Sequence, residues 1–247
     1  MPQFSDDLFL GTAVAGGNAV SDGPSPMTVG VGPLGRVYVY DIAPAALAAN
    51  NLATSQNPGS AGSFTLTAGA GVTAVTLANG TTGYSLDVPR AIRIVAAGAN
   101  TATYLVSGYD VYGQPMSQLL AAPSTSTVTT LKAFKIVTSV TNANTTAGLN
   151  NLTVGTTDVF GLPVRVTNVG YIMSVKWDAT LASNAGTFAA ADTTATATTA
   201  TGDVRGTFLQ TGNASDGTRR LVIAIAIPAI GAGPSATRIG AFGVTQI

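Results

Sequence analysis

The chain of 247 residues contains no cysteine, no histidine and no glutamate. Without cysteine there are no disulfides and no thiolate chemistry. With histidine also missing, the usual nucleophile–base pairs and most zinc sites are excluded. Glu, with Lys and Arg, covers the exposed faces of most helices, so its absence argues against long surface helices. We therefore expect a non-enzymatic protein with no catalytic residues, no cofactor and no metal.

Charged residues are also scarce, at 9% of the chain, and eleven basic residues balance eleven acidic ones. A nucleic-acid-binding protein needs an excess of Lys and Arg against the phosphates, so no nucleic-acid partner is expected. Zero net charge removes the self-repulsion that keeps free proteins apart. This composition suits a subunit that packs into a larger assembly.

Long apolar runs are missing as well. The strongest run, LVIAIAI from Leu221, stops at Pro228, far short of the ~20 residues of a membrane helix. Near the start, Asp6 and Asp7 stand where a signal peptide carries Lys or Arg. The sequence predicts synthesis in the cytoplasm and no membrane partner.

Thr, Val, Ser and Gly are abundant instead, and they favour strands and turns. RVYVYDI (36–42), YIMSVKWD (171–178) and LVIAIAI (221–227) alternate with the period of a strand. VTAVTLANGTTGYSLDV (72–88) predicts a hairpin that turns at Asn79-Gly80. Many short strands separated by turn signals predict an all-β, mainly antiparallel fold with sandwich or barrel-like sheets.

The chain divides by composition into an arm and a body. Residues 1–60 are predicted to form an extended, loop-rich N-terminal arm that contains the strand 36–42 and at most one short helix, over 43–53. Residues 61–247 are predicted to form the β-rich body, with two packed subdomains that would divide near 156–163. The Thr/Ala-rich stretch 190–203 is expected to be an exposed loop or an edge strand.

One short pattern occurs three times: Asp, Val, a variable residue and Gly. The pairs are Asp110/Gly113, Asp158/Gly161 and Asp203/Gly206. Asp at the first position and Gly at the fourth are favoured in type I turns. A calcium loop needs several oxygen ligands close together, whereas these Asp residues lie far apart in the sequence. The pattern therefore predicts turns.

Other motifs also favour structural roles. Gly30, Gly32 and Gly35 match the GxGxxG spacing, but a strand pattern follows them where dinucleotide binding requires a helix. A Ser–Lys dyad would have to use Lys132, Lys135 or Lys176, each in a strand pattern. The only tryptophan, Trp177, lies in an apolar alternation typical of a core. Arg219 and Arg220 are interpreted as a solvated strand end, with an inter-subunit ion pair as the alternative.

Several stretches spread over most of the chain carry a resemblance. They are PMTVGVGPLGRVYVYDI, LDVPRAIRI, SGYDVYGQPMSQ, AFKIVTSVT, DVFGLPVRV, TGDVRGTF and GVTQI. Together they resemble virion proteins of short-tailed bacteriophages, of the capsid decoration or cement type.

The resemblance implies a β-rich protein that binds the outside of an assembled capsid, often as a homotrimer, and braces the shell. The implied partners are the major capsid protein and further copies of the chain, and the implied location is the exterior of the virion. One alternative is a neck, tail or head-fibre component of the virion. A second alternative is a carbohydrate-binding β-sandwich, which would need exposed aromatic side chains along a groove.

Overall fold

A computed structural model of the chain describes residues 35–123, 127–144, 151–178, 180–181, 186–192, 194, 198–228 and 246–247. In this part of the chain strands dominate, and there is no α-helix. Every strand pair is antiparallel. The prediction of an all-β, mainly antiparallel fold is confirmed.

Thirteen strands are assigned in the described part of the chain. They are β1 (Gly35–Ile42), β2 (Ala53–Gln56), β3 (Val72–Thr76), β4 (Thr82–Val95), β5 (Tyr104–Tyr109), β6 (Pro115–Leu120), β7 (Thr127–Asn142), β8 (Leu152–Gly161), β9 (Ile172–Trp177), β10 (Thr180–Leu181), β11 (Gly186–Ala189), β12 (Thr207–Gln210) and β13 (Leu221–Pro228). A 3-10 helix (Val169–Tyr171) precedes β9.

These strands form two sheets. The large sheet has nine strands in the order β11-β12-β8-β4-β7-β5-β6, with β2 added on β8 and β3 on β4, and it curls into a half-barrel. The small sheet has four strands in the order β1-β13-β9-β10. The first and last long strands of the described chain, β1 and β13, are therefore neighbours in the small sheet.

The larger apolar core lies within the curl of the large sheet. Most of its fully buried members come from β4, β5, β7 and β8, and they include Ile92, Ile94, Tyr104, Phe134 and Val154. Residues 43–56 and 64–72 cover this core from outside the main strand order. Burial of each such large side chain stabilises the fold by about 1.5–3 kcal/mol.

A second core joins the small sheet to the end of β8 and to β12. Leu221, Ile223 and Ile225 of β13 are fully buried there, and they pack with Phe160 and Trp177 in one cluster. The ring centroids of Phe160 and Trp177 are 6.4 Å apart. The expected core position of Trp177 is confirmed.

The short helix that the sequence allowed over residues 43–53 does not form. This segment crosses the large sheet without helical structure and continues into β2. Its main chain bonds to β8 instead, because Ala48 accepts the amide of Thr156 and Leu52 donates to the carbonyl of Val154. The side chain of Asn51 also forms two hydrogen bonds with Thr156. Its amide nitrogen donates to the Thr156 hydroxyl, and its amide oxygen accepts the Thr156 main-chain N–H. Tertiary hydrogen bonds of this kind outweigh a weak local helix propensity.

The predicted N-terminal arm, residues 1–60, falls in two parts. Residues 1–34 lie outside the described residues, as do most of the GxGxxG glycines. Residues 35–60 pack against the body: β1 belongs to the small sheet, β2 pairs with β8, and Leu52 and Ala53 are fully buried. The arm therefore stays a prediction that now concerns residues 1–34.

The predicted division of the body near 156–163 falls on the second half of β8 and the residues just after it. Val154 of β8 belongs to the first core, whereas Phe160 of the same strand belongs to the second. The chain thus passes from one core to the other within a single strand. Two separate subdomains remain a prediction.

The predicted hairpin of β3 and β4 is confirmed, but its turn differs in detail. Thr76 pairs with Thr82, and the loop 77–81 closes with a hydrogen bond from Leu77 to the carbonyl of Thr81. Gly80 has φ of +80°, whereas Asn79 is not among the residues with positive φ. Asn79 instead accepts hydrogen bonds from Thr81 through its side chain. The Asn79-Gly80 pair therefore turns the chain within a longer loop than a two-residue hairpin.

The alternation predicted for YIMSVKWD (171–178), which would put Met173, Val175 and Trp177 on one face, is interrupted in β9. The register between β9 and β13 shifts, since Ser174 pairs with Ala224 while Ile172 pairs with Ile225. Met173 is the extra residue of this bulge, and it is 57% exposed. A β-bulge inserts one unpaired residue and reverses the alternation beyond it.

Candidate interaction surface

Two of the three Asp-Val-x-Gly repeats form the predicted turns. The amide of Gly113 donates to the carbonyl of Asp110 at 3.1 Å, and the amide of Gly206 donates to the carbonyl of Asp203 at 3.2 Å. Each Asp carboxylate also accepts main-chain N–H groups of its own turn. Gly113 and Gly206 have φ of +77° and +93°, which a residue with a Cβ rarely adopts.

The prediction of a turn at Asp158/Gly161 is wrong, because both residues lie within β8. The buried carboxylate of Asp158 accepts the amide and the hydroxyl of Ser215, at 2.9 and 2.5 Å, and the side-chain amide of Gln210 at 3.1 Å. Asp158 therefore anchors the connection between β12 and β13. The local pattern could not show this, because the partners follow Asp158 by more than fifty residues.

The other two Asp residues meet around one arginine, although they are far apart in the sequence. The guanidinium of Arg205 lies 2.8 Å from the carboxylate of Asp110, and both side chains are almost fully buried. The side-chain amide of Gln246 also donates to Asp110, at 3.0 Å. Asp203 accepts the amide of Ala133 at 2.9 Å. Burial raises the pKa of Asp203. The charge of Arg205 and the hydrogen bonds from the main-chain N–H groups of Ala133 and Arg205 oppose this shift.

Lys132 extends this buried polar network. Its ammonium group donates to the carbonyls of Ser117 and Gln246, at 2.9 and 2.6 Å. Burial lowers the pKa of Lys132 to about 8, and the nearby charges of Asp203 and Asp192 oppose the shift. The sequence indicated a strand position for Lys132 but gave no sign of its partners.

The remaining candidates for chemistry are also separate from one another. Lys135 donates to the main-chain carbonyls of Leu86 and Asp87, and Lys176 lies exposed on β9. Asp6 and Asp7 lie outside the described residues. Among the described residues, no group of three or more carboxylates could hold a metal ion. The buried charges thus bond to each other and to the main chain, and the lack of enzymatic activity stays a prediction from the sequence.

A cavity of about 560 Å³ lies between β7, β8, β11 and β12 and the loop that precedes β12. Thr and Ala side chains make up most of its lining, with Leu131 and Leu209 exposed in it and Asp192 and Asp203 also present. The described part of the Thr/Ala-rich stretch is loop, as one of the two expected alternatives had it. No aromatic side chain lines the cavity, so it offers no stacking surface for a sugar ring.

The small sheet has one buried face and one open face. Because directly paired residues point to the same side of an antiparallel sheet, the register places Val39, Ala224 and Ser174 together. We call this side of the small sheet the outer face. On β1 and β13 it consists of Val37, Val39, Asp41, Val222, Ala224 and Ala226.

Large apolar side chains are exposed on and beside the outer face. Val39 is 58% exposed at its centre on β1, and Met173 protrudes from the bulge of β9. Val169 in the 3-10 helix is exposed as well, whereas Tyr38 is exposed on the opposite side of the edge strand, the side of Ile225. The side chains of Val222, Ala224 and Ala226, on β13 between β1 and β9, are partly exposed. Contiguous apolar patches on a protein surface mark sites of interaction with other molecules.

Arginines stand at one end of the small sheet. Arg220 binds Asp41 of the outer face through two hydrogen bonds, at 3.0 and 2.6 Å. Arg219 pairs with Asp216 at 2.9 Å and with Asp178 at 3.5 Å. The strand end is exposed, as expected, and both arginines have partners within the chain.

No protein-family model, curated protein or solved structure matches the chain. Among the described residues, no helix is long and apolar enough to cross a membrane. The outer face of the small sheet is therefore interpreted from its own geometry. It brings the exposed side chains of Val39 and Met173 to one part of the small sheet, and it depends on the pairing of β1, β9 and β13, which a single sequence does not reveal.

Proposed function

We propose that the chain is a structural virion protein that binds the outer surface of a bacteriophage capsid and stabilises the shell. The observation that carries this proposal is the open, apolar outer face of the small sheet. The resemblance to decoration proteins supplies the capsid as the partner, and the outer face supplies a surface with which to bind it. The proposed partners are the major capsid protein and further copies of the chain.

The distribution of charge supports a binding role. Asp110, Asp203, Arg205 and Lys132 are buried and bonded to one another or to the main chain. The outer face carries Asp41 on β1, which is paired with Arg220, and the exposed Lys176 on β9, opposite Val222. Away from Lys176, a surface of this kind can be desolvated without stranding an unpaired charge, which is what the centre of a protein interface requires.

Stabilisation of the shell would follow from mass action. A protein that binds only the assembled shell stabilises it by RT ln(1 + [L]/Kd), where [L] is the free protein concentration. A hundredfold excess over Kd corresponds to about 2.7 kcal/mol for each site. Because a capsid offers many equivalent sites, modest contacts of single copies add up over the shell.

The first test is the position of the chain in the particle. A cryo-EM map of the virion that contains it should show copies distributed over the outer shell. A few copies at a single vertex would instead identify a neck, tail or head-fibre component, and the decoration role would be rejected.

The second test addresses the surface. Met173→Lys places a charge beside the outer face at a side chain that is already exposed, so the fold should persist. The variant should cosediment with shells of the phage's major capsid protein at least about tenfold more weakly, since a buried unpaired charge costs more than 1.4 kcal/mol. Leu131→Lys, an exposed position on the large sheet, is the matched control and should bind normally. Equal binding by both variants would rule out the outer face.

The predicted arm is tested separately. Because residues 35–60 pack against the body, a deletion of residues 1–34 leaves β1 and every described contact in the chain. Weakened cosedimentation with an unchanged unfolding transition would support an arm that contacts the shell. Unchanged binding would remove the arm from the mechanism.

A further inference from the structure

The edge strand of the small sheet is long and regular, and no described strand covers its outer edge. β1 pairs with β13 without interruption, from Gly35 opposite Pro228 to Ile42 opposite Leu221. On its other side, no strand among the described residues pairs with it. One side of β1 therefore presents main-chain N–H and C=O groups along eight residues.

Other sheet edges in the described chain are short or covered. At the opposite edge of the small sheet, β10 has two residues, and at one edge of the large sheet β11 has four. At the other edge of the large sheet, β6 begins with Pro115, and the amide of Ser117 donates to the carbonyl of Gln246. Proteins protect their edges by such devices, because an open edge recruits further strands.

β1 is neither short nor interrupted, and it contains no proline, no lysine and no bulge. Its charged residues, Arg36 and Asp41, stand near its two ends, and between them it exposes the apolar side chains of Tyr38 and Val39. A long, flat and apolar edge is either an aggregation site or an interface. In a chain with zero net charge, no electrostatic repulsion keeps two such edges apart.

We propose that β1 pairs with β1 of a second copy, antiparallel and about a two-fold axis, so that two small sheets become one sheet of eight strands. Such a contact is isologous, since the same strand serves both partners. In an antiparallel pair about a two-fold axis, one residue lies opposite its own copy. The centre of the contact is thus a single residue of β1.

The side chains favour Tyr38 as that centre. With Tyr38 opposite Tyr38, Val37 lies opposite Val39 of the second copy on the outer face, and apolar residues meet twice by symmetry. With Val39 at the centre, Val37 would instead lie opposite Asp41, which already binds Arg220. The Tyr38-centred register matches apolar with apolar and leaves this ion pair intact.

This contact produces a dimer, rather than the trimer that the resemblance implies. It goes beyond the proposed capsid role and does not depend on it, because it concerns the isolated protein. The continuous sheet would also double the outer face, placing two copies of the apolar patch side by side.

The register is tested by cross-linking, for which a chain without cysteine is well suited. In Tyr38→Cys, the two Cα atoms would lie about 4.5–5.5 Å apart across the axis, within the range of a disulfide. Under mild oxidation, the full-length variant should form a disulfide dimer at least roughly tenfold faster than Leu131→Cys, because a preformed contact raises the effective thiol concentration to about the millimolar range. Equal rates would overturn the register.

The interface is tested by mass. Sedimentation equilibrium without any shell should show twice the monomer mass of 24.6 kDa. Val39→Lys should shift the protein to the monomer, because an edge lysine opposes strand pairing, whereas Leu131→Lys should remain dimeric. The proposal would be overturned if the wild-type chain stays monomeric or if Val39→Lys leaves an oligomer intact. Either result would mean that the edge of β1 is occupied by something other than a second β1, such as another segment of the chain or another protein.

Discussion

The guanidinium of Arg205 lies 2.8 Å from the carboxylate of Asp110, with 4% and 0% of the two side chains exposed. Both residues belong to Asp-Val-x-Gly repeats, one between β5 and β6 and the other before β12. The ion pair thus joins two turns that the sequence suggests only as separate local structures. A third residue of this contact, Tyr112, places its ring 5.3 Å from the Arg205 guanidinium.

Loss of Arg205 should therefore be costly. Arg205→Met would leave Asp110 buried without its cation, and removal of one partner of a buried pair typically costs about 3–5 kcal/mol. Urea unfolding followed by circular dichroism at neutral pH measures this change. The matched variant Arg220→Met removes the exposed pair with Asp41 and should cost about 1 kcal/mol or less. Similar losses in the two variants would contradict the structural role of the buried pair.

The pH dependence of stability should report Lys132. Burial lowers its pKa in the folded chain to about 8 from 10.5, so between these values the unfolded chain binds more protons than the folded chain. Stability then rises with pH in this range. Relative to Lys132→Met, which has no such group, the wild-type chain should gain on the order of 1 kcal/mol between about pH 8 and pH 9.5.

Unfolding in urea at several pH values in this window tests the Lys132 prediction. The exposed Lys176→Met variant serves as the control and should follow the wild-type profile. If Lys132→Met follows it as well, the buried amine does not set the slope.

Gly155 should tolerate no side chain. A Cβ at this position of β8 would lie 2.0 Å from the carbonyl oxygen of Ala48, at the place where residues 43–52 cross the sheet. Gly155→Ala must displace that segment and weaken the hydrogen bond from Thr156 to Ala48. Overpacking of this kind costs about 1–3 kcal/mol. In Gly59→Ala the new methyl group meets open space, and the measured free energy of unfolding should stay within about 0.5 kcal/mol of wild type.

Loss of the Asp158 side chain should destabilise the fold more than loss of a turn residue would. Asp158→Ala removes the acceptor of three hydrogen bonds from Ser215 and Gln210. The Ser215 hydroxyl and the Gln210 amide keep their second acceptors, Ala45 and Asn213, but the buried main-chain N–H of Ser215 loses its partner. Each unsatisfied donor costs about 1–3 kcal/mol, whereas loss of a capping Asp at a helix or turn costs about 1 kcal/mol. Thermal unfolding that shows only the smaller loss would restore the turn interpretation.

The strand content was open to prediction because it depends on local properties. Alternation in LVIAIAI and in RVYVYDI follows directly from the period of a strand, and Asp110/Gly113 specifies its turn through its own backbone angles. The helix that the sequence allowed at 43–53 does not form, for the opposite reason. Its hydrogen bonds go to β8, about a hundred residues later in the chain, and no local pattern contains that information.

The candidate surface was hidden from the sequence for a related reason. Val39, Ala224 and Met173 belong to three strands that are not consecutive, and only the order β1-β13-β9 brings them together. The exposure of Met173 further depends on a bulge that reverses the expected alternation. The same sequence did show that charge is scarce, and this is what leaves the surface apolar once the strands are paired.

The two apolar cores share their supporting strands. Ile92 on β4 and Val154 on β8 fill one core, while Val88 on β4 and Phe160 on β8 contribute to the other. Because β4 and β8 contribute to both cores, unfolding of one core would disrupt the other. Heat or denaturant should therefore unfold both cores in a single cooperative transition. We expect that neither core would fold if it were expressed without the other. A substitution that destabilises one core should also destabilise the other.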